Sequence, residues 1–381
     1  MSTMDVAPSM LRWALDRANL NTNTKRYARF ETYASGKKSP TLAQLEEFAG
    51  AVHVPFGYLF LPEPPQEEIP IPDYRTFSNV GVDQPSANLL DVIYEAQMRQ
   101  DWYRDYSKSQ DAEPLEFFGS ASLNDSPIDV ASQIRKALSF DMEQRGGFRT
   151  WEEALRYLID AIEDIGVLVM VSSVVGNNTH RSLSLQEFRG FTLGDPFASI
   201  IFVNGSDSKS AQMFTLVHEL AHVWLGESGV SNEDMKNTNS LGNERWANSV
   251  AAEVLIPLEQ IRLDYNGSLT DPEVSRLAKR YKASTLVVIK RIHDAGLVSW
   301  DKYIKFYRAE EGRLKEIAAR RKKSPGGDYY NSRPLQIGQQ FSKAVIIDTY
   351  EGRTLYRDAF RLLGTSKVST FEGLAERLGV A

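Results

Sequence analysis

Phe214-Thr-Leu-Val-His-Glu-Leu-Ala-His-Val-Trp-Leu-Gly226 decides how this chain is read. Phe214, Val217, Leu220, Ala221, Trp224 and Leu225 keep the segment apolar around its two histidines, so the spacing predicts a helix with His218 and His222 facing inward. Residues four apart share one helix face, and both imidazoles can reach one metal ion. Glu219 stands beside them, where a carboxylate can take a proton from a water that the metal has made acidic.

A third ligand has to be found. The chain of 381 residues contains no cysteine and five histidines: His53, His180, His218, His222 and His293. A histidine six positions after His222 would complete one known arrangement, but that position is Ser228. The remaining ligand is therefore expected to be a carboxylate. Glu227, Glu233 and Asp234 fall in a loop rich in Gly, Ser and Asn and read as solvated. Glu244 and Glu253 lie on the next expected helix, which starts near Asn243 and stops before Pro257. Nine steps of about 100° put them on opposite faces, so at most one can point at the metal. Glu244 shares its face with Ala247, Asn248, Ala251 and Leu255, a surface suited to close packing, and is the expected ligand.

Working outward, residues 167–175 and 199–204 are short apolar runs that read as strands, the second closed by Asn204-Gly205. The run at 200–203 leads into the metal helix, where an edge strand would hold an extended peptide by backbone pairing. Arg189, near this strand, and His180, on an expected loop, are candidates for the substrate cleft. His293, with Ile289 and Ile292, reads as a packed core histidine. Residues 271–295 predict two short helices around Lys282-Ala-Ser284.

Leu61-Pro-Glu-Pro-Pro-Gln-Glu-Glu-Ile-Pro-Ile-Pro-Asp73 holds five prolines in thirteen residues and cannot form a helix. Before it, Leu11, Ala14, Leu15 and Ala18 form one apolar stripe, and Leu42, Leu45, Phe48, Ala49 and Val52 another. With Gly36 and Ser39-Pro40-Thr41 as stop and start signals, these predict a helix-turn-helix. Asn19, Asn21 and Asn23 leave little room for a full helix between the two stripes. Lys25, Arg26, Arg29, Lys37 and Lys38 are the candidate DNA-phosphate contacts. Arg320-Arg-Lys-Lys323 and Pro325-Gly-Gly327 mark a second hinge before a mostly helical C-terminal region.

A net charge of −6 argues against the whole surface being a nucleic-acid footprint. The absence of cysteine excludes a disulfide-stapled fold, a thiolate metal site and a cysteine nucleophile. Residues 1–8 lack the basic and apolar runs of a signal peptide, and residues 165–175 are too short to span a bilayer. A cytoplasmic protein with no membrane partner is expected.

The segment 214–226, followed by Asn243-Glu-Arg-Trp-Ala-Asn-Ser-Val-Ala-Ala-Glu-Val-Leu-Ile-Pro257, resembles the ImmA/IrrE-type metallopeptidases. The resemblance extends to Glu187-Phe-Arg-Gly-Phe191 and the 200–204 strand, and residues 8–77 resemble an Xre-type helix-turn-helix. It implies zinc, one ion per chain, on His218, His222 and Glu244, with Glu219 catalytic. It also implies a regulatory endopeptidase that cuts a specific protein partner such as a transcription repressor. The rival it leaves open is a non-catalytic DNA-binding regulator or antitoxin of a toxin–antitoxin locus, docking its partner through the same fold.

The expected architecture is α+β and mostly helical. Residues 1–65 would be the helix-turn-helix bundle and 66–150 a linker and helical segment. A zincin-like metallopeptidase domain with a small sheet would occupy 151–265, a helical extension 266–325, and a C-terminal helical region 326–381.

Overall fold

The computed structural model is described for residues 3–18, 24–65, 69–72, 85–231, 242–320 and 329–380. Asn19, Asn21, Asn23, Glu233, Asp234 and the hinge at 321–327 lie outside them, as do residues 73–77. The chain divides into two compact units, Met1–Pro70 with Asn79–Tyr94 and Ile71–Ser78 with Glu95–Ala381.

The first unit contains α1 (Pro8–Arg17), α2 (Lys25–Ala34), α3 (Leu42–Val52) and a 3-10 turn (Phe56–Phe60). Contrary to expectation, a ten-residue helix does fit between the two stripes: Thr24 caps it by accepting from the Tyr27 amide, and Phe30, Tyr33 and Ala34 bury its inner face. Thr41 and Gln44 close a capping box on α3, which leaves fewer orphan amides at its start. Leu11, Leu15, Phe30, Leu45, Phe48 and Leu59 form the core of this unit. Arg26 and Arg29 both pair with Glu47 of α3, while Lys25, Lys37 and Lys38 are exposed.

From residue 87 the order is α4 (Ala87–Ser109), α5 (Pro127–Ala137), α6 (Met142–Gly147) and α7 (Trp151–Asp164). Next come β1 (Leu168–Ser172), a small hairpin of β2 (Val174–Val175) and β3 (Asn178–Ser182), then β4 (Gly190–Leu193) and β5 (Ile200–Asn204). The metal helix is α8 (Lys209–Leu225), followed by β6 (Gly229–Ser231) and α9 (Gly242–Leu255). The remainder is helical: α10 (Leu258–Asp264), α11 (Asp271–Tyr281), α12 (Thr285–Asp294), α13 (Trp300–Arg320), α14 (Tyr329–Ile337), α15 (Gln339–Tyr350), α16 (Tyr356–Leu363) and α17 (Val368–Leu378). The fold class is therefore α+β, mostly helical with a small mixed sheet.

The sheet runs β1-β5-β4-β6. β1 and β5 are parallel, with Leu168 opposite Ile200, and β4 is antiparallel to both β5 and β6. β5 was expected at an edge but lies inside, its five residues buried between two neighbours. An uninterrupted apolar run is what a strand covered on both faces requires. The edge beside the metal helix is β6, whose Val230 amide donates to the Pro72 carbonyl at 2.9 Å.

α8 packs on this sheet and against α7 and α9, and its Met213, Leu216, Val217, Leu220 and Val223 are in the main core. Ser208 caps its start, and Gly226, at φ 71°, turns the chain out of it. That left-handed conformation favours glycine because it has no Cβ. Among the described residues, no helix is long and apolar enough to cross a membrane.

Candidate metal centre and cleft

α8 presents His218 and His222 toward the first turn of α9, where Glu244 faces them. All three side chains are buried. His218 Nε2 lies 3.2 Å from one Glu244 oxygen, and His222 Nε2 lies 3.1 Å from the other. The two Nε2 atoms are 3.2 Å apart. One ligand atom from each residue falls within 4.8 Å of the others, the one such group among the described residues.

The donors fit a divalent cation. Neither Glu244 oxygen accepts a hydrogen bond of sound geometry from the described residues despite full burial, and such groups are costly unless something compensates them. His222 Nδ1 is 3.2 Å from Glu227 Oε2, an arrangement that fixes the tautomer and leaves Nε2 for a metal. Glu227 is thus not the solvated loop acid expected from its surroundings. Gly226 reverses the chain at once, and Glu227 is held between His222 and the Asn243 amide, which donates to it at 3.2 Å.

Charge within the cluster is strongly coupled. Burial favours a neutral His222 ring, but Glu227 and Glu244 outweigh it and push its pKa up to about 10. Burial likewise raises Glu244, yet His218 and His222 hold it down to about 2. The cluster retains its carboxylate only by keeping positive charge close, which a metal ion would supply in place of the proton.

Glu219 is fully buried, and desolvation raises its pKa against the opposing pull of His218 and His222. Its two oxygens are held separately: Ser231 Oγ of β6 donates to Oε1, and Thr192 Oγ1 of β4 donates to Oε2 at 2.7 Å. Gly190 makes room for this. A Cβ there would stand 2.9 Å from Glu219 Oε1 and 2.6 Å from Thr215 Cγ2. Thr192 left one trace in the sequence, a polar residue in an apolar strand; nothing local marks Ser231.

A cavity of about 490 Å³ opens on His218, Glu219 and Ser231. Arg189 lines it, paired with Asp207. His180 is not brought there: it stands exposed on β3. Ser228, where a third histidine would have stood, accepts from the Gly194 amide at 2.8 Å. His293 is half-buried rather than sealed in the core, stacked on Tyr303 at 4.6 Å.

The far end of α9 is anchored by arginines that sequence reasoning did not single out. Arg135 donates to the Glu253 carbonyl at 2.6 Å and Arg291 Nε to the Ile256 carbonyl at 2.8 Å. Arg145, wholly buried over the Phe140 ring, reaches the Val254 and Leu255 carbonyls, and desolvation lowers its pKa to about 9. These are the carbonyls that a helix C-terminus leaves without internal partners. Glu253 itself pairs with Arg291, consistent with its placement on the face away from His218 and His222.

Residues 162–293 match the Peptidase M78 family model, the IrrE N-terminal-like domain. The matched segment carries α8, α9 and the whole sheet. Residues 337–377 match a domain of unknown function, DUF8813. A search of curated proteins gave no match.

Proposed function

We propose that this chain is a zinc-dependent regulatory endopeptidase of the cytoplasm that cleaves a specific protein partner such as a transcription repressor. The observation that carries the reading is the convergence of His218, His222 and Glu244 beside a fully buried Glu219 that lines a cavity. The match of residues 162–293 to a peptidase family supports it.

Two imidazoles and one carboxylate suit zinc and leave a coordination position open. Zinc, when bound there, supplies a water of lowered pKa and a positive charge for the carbonyl oxygen of the scissile bond. Glu219 accepts the proton of the attacking water and returns it to the leaving amine. Thr192 and Ser231 keep its carboxylate from rotating, and its burial keeps its proton affinity high enough for the exchange. Glu227 orients His222 through Nδ1.

The test is cleavage of the protein encoded beside this chain. Zinc-loaded wild type is expected to cut it, and Glu219→Gln to keep zinc and lose cleavage by about 10²–10⁴-fold, the range for a general base. Zinc-loaded wild type that cuts no neighbouring gene product would sink the reading. The rival, a DNA-binding regulator or antitoxin without catalysis, requires operator binding that survives Glu219→Gln. Lys25, Lys37 and Lys38 are its available phosphate contacts, while Arg26 and Arg29 are paired with Glu47.

A further inference from the structure

The cavity at the metal centre is chemically two-sided. One end is polar, with His218, Glu219 and Ser231. The rest of the lining is mainly apolar, with Phe214 of α8, Leu286 and Val287 of α12, and Tyr307, Leu314 and Ile317 of α13, interspersed with neutral polar groups such as Asn248 and Ser284. The charged side chains at its rim, Arg189 and Asp207, pair with each other, so they neutralise one another rather than offer an isolated charge. Three of these apolar wall residues lie on α13, which begins at Trp300 and so lies beyond residue 293, where the peptidase match ends.

We infer that the cleft selects a peptide with a large apolar side chain (Leu, Ile, Met or Phe) next to the scissile bond, and that α13 is the element setting this preference. The inference rests on the reading of His218, His222, Glu244 and Glu219 as the hydrolytic centre. The volume lies in the range of sites that enclose a ligand of a few residues. The wall is continuous with the centre, so a chain presenting its carbonyl there places an adjacent side chain against α12 and α13. A charged side chain in that position loses its water and meets no opposite charge that is not already paired. An apolar one buries against Val287 and Tyr307, both already nearly inaccessible to solvent. A pocket of this kind discriminates by about 10–200-fold per methylene.

Ile317 is half exposed at the mouth of the cleft, so it can be changed without opening the core. The experiment uses the full-length, zinc-loaded chain carrying Glu219→Gln, so that binding is read without turnover. Two fluorescein-labelled nonapeptides, identical except for a central Leu or Asp, are titrated and followed by anisotropy. The Leu peptide is expected to bind at least about tenfold more tightly. Adding Ile317→Glu or Leu286→Glu is expected to abolish that difference, with an unchanged melting temperature showing that the fold is intact. Equal binding of the two peptides, no binding of either, or a preference that survives both substitutions would overturn the inference. Wild-type turnover keeps the two claims apart. Selective binding without any cleavage removes the peptidase and leaves the cleft; cleavage indifferent to the apolar residue does the reverse.

Discussion

Glu244 and Glu253 are two buried glutamates on one helix, nine residues apart, and their surroundings make them opposites. Glu253 meets a guanidinium, Arg291, and accepts the single Leu258 amide between its two oxygens, at 3.3 Å from each. Glu244 meets only imidazole nitrogens and has both oxygens without a sound hydrogen bond. The difference teaches how to tell a structural carboxylate from a ligand. Arginine compensates a buried carboxylate steadily, because it keeps its proton at neutral pH even when buried. Imidazoles compensate it conditionally, and can exchange their proton for a metal ion.

The sharpest way to break this comparison is to exchange the roles. Glu244→Ala is expected to abolish stoichiometric zinc binding, measured by competition with a chelator, while Glu253→Ala leaves it intact. Zinc retained by Glu244→Ala would show that another carboxylate serves. The converse effect appears in stability. Glu253→Ala strands Arg291 in the core and should cost about 3–5 kcal/mol in denaturant unfolding, and Glu253→Leu combined with Arg291→Leu should recover most of it. A loss below about 1 kcal/mol would mean that Arg291 finds water or another acceptor.

Glu227 sharpens the contrast, since it meets His222 on the ring nitrogen turned away from Glu244. Glu227→Ala frees His222 Nδ1 and should weaken zinc binding by about 10–100-fold, less than removal of Glu244. Equal losses would make Glu227 a ligand instead.

The mildest test concerns a third buried glutamate, Glu163, which has neither arginine nor imidazole. It accepts from the Gln339 and Gln340 amides at the start of α15, at 3.0 and 3.4 Å, and burial raises its pKa to about 7. Its folded pKa exceeds the ordinary carboxyl value, so the folded state binds the proton more tightly between about pH 4.5 and 7. Stability should therefore fall as pH rises through that window, by at most about 1.4 kcal/mol per pH unit. In Glu163→Gln that part of the slope should vanish; an unchanged slope would assign it elsewhere.

The legible part of this molecule is what a periodic pattern carries. His218, Glu219 and His222 were readable because helical spacing fixes their faces, and the Glu244–Glu253 choice was readable for the same reason. α2 was missed because its flanking asparagines argued against a helix, whereas Thr24 and the buried Phe30 and Tyr33 favour one. β5 was placed at an edge because strand order is a long-range property that no local run reports. Ser231, Glu227, Arg145 and the α13 wall act across tens to hundreds of positions or through a sharp turn. Single polar residues in loops and short strands look alike until the chain brings them together.

The contacts of α14–α16 bear on the order in which the molecule can assemble. Arg99 on α4 donates to the Leu362 carbonyl, Asn177 to the Gly364 carbonyl, and Arg333 spans the Leu363 and Gly176 carbonyls. α14 packs against β1, the outer strand of the sheet on the side away from the metal. The contacts that reach back to α4 and to Gly176 and Asn177 join residues 157–263 positions apart, so during synthesis β1 emerges long before the segment that packs on it. An open strand edge is a template for pairing with another chain, and long-range closure of this kind is slow. Until residues 329–363 are made, the nascent chain leaves the β1 side of its sheet open to association with its own copies, and their docking is the step that ends that exposure.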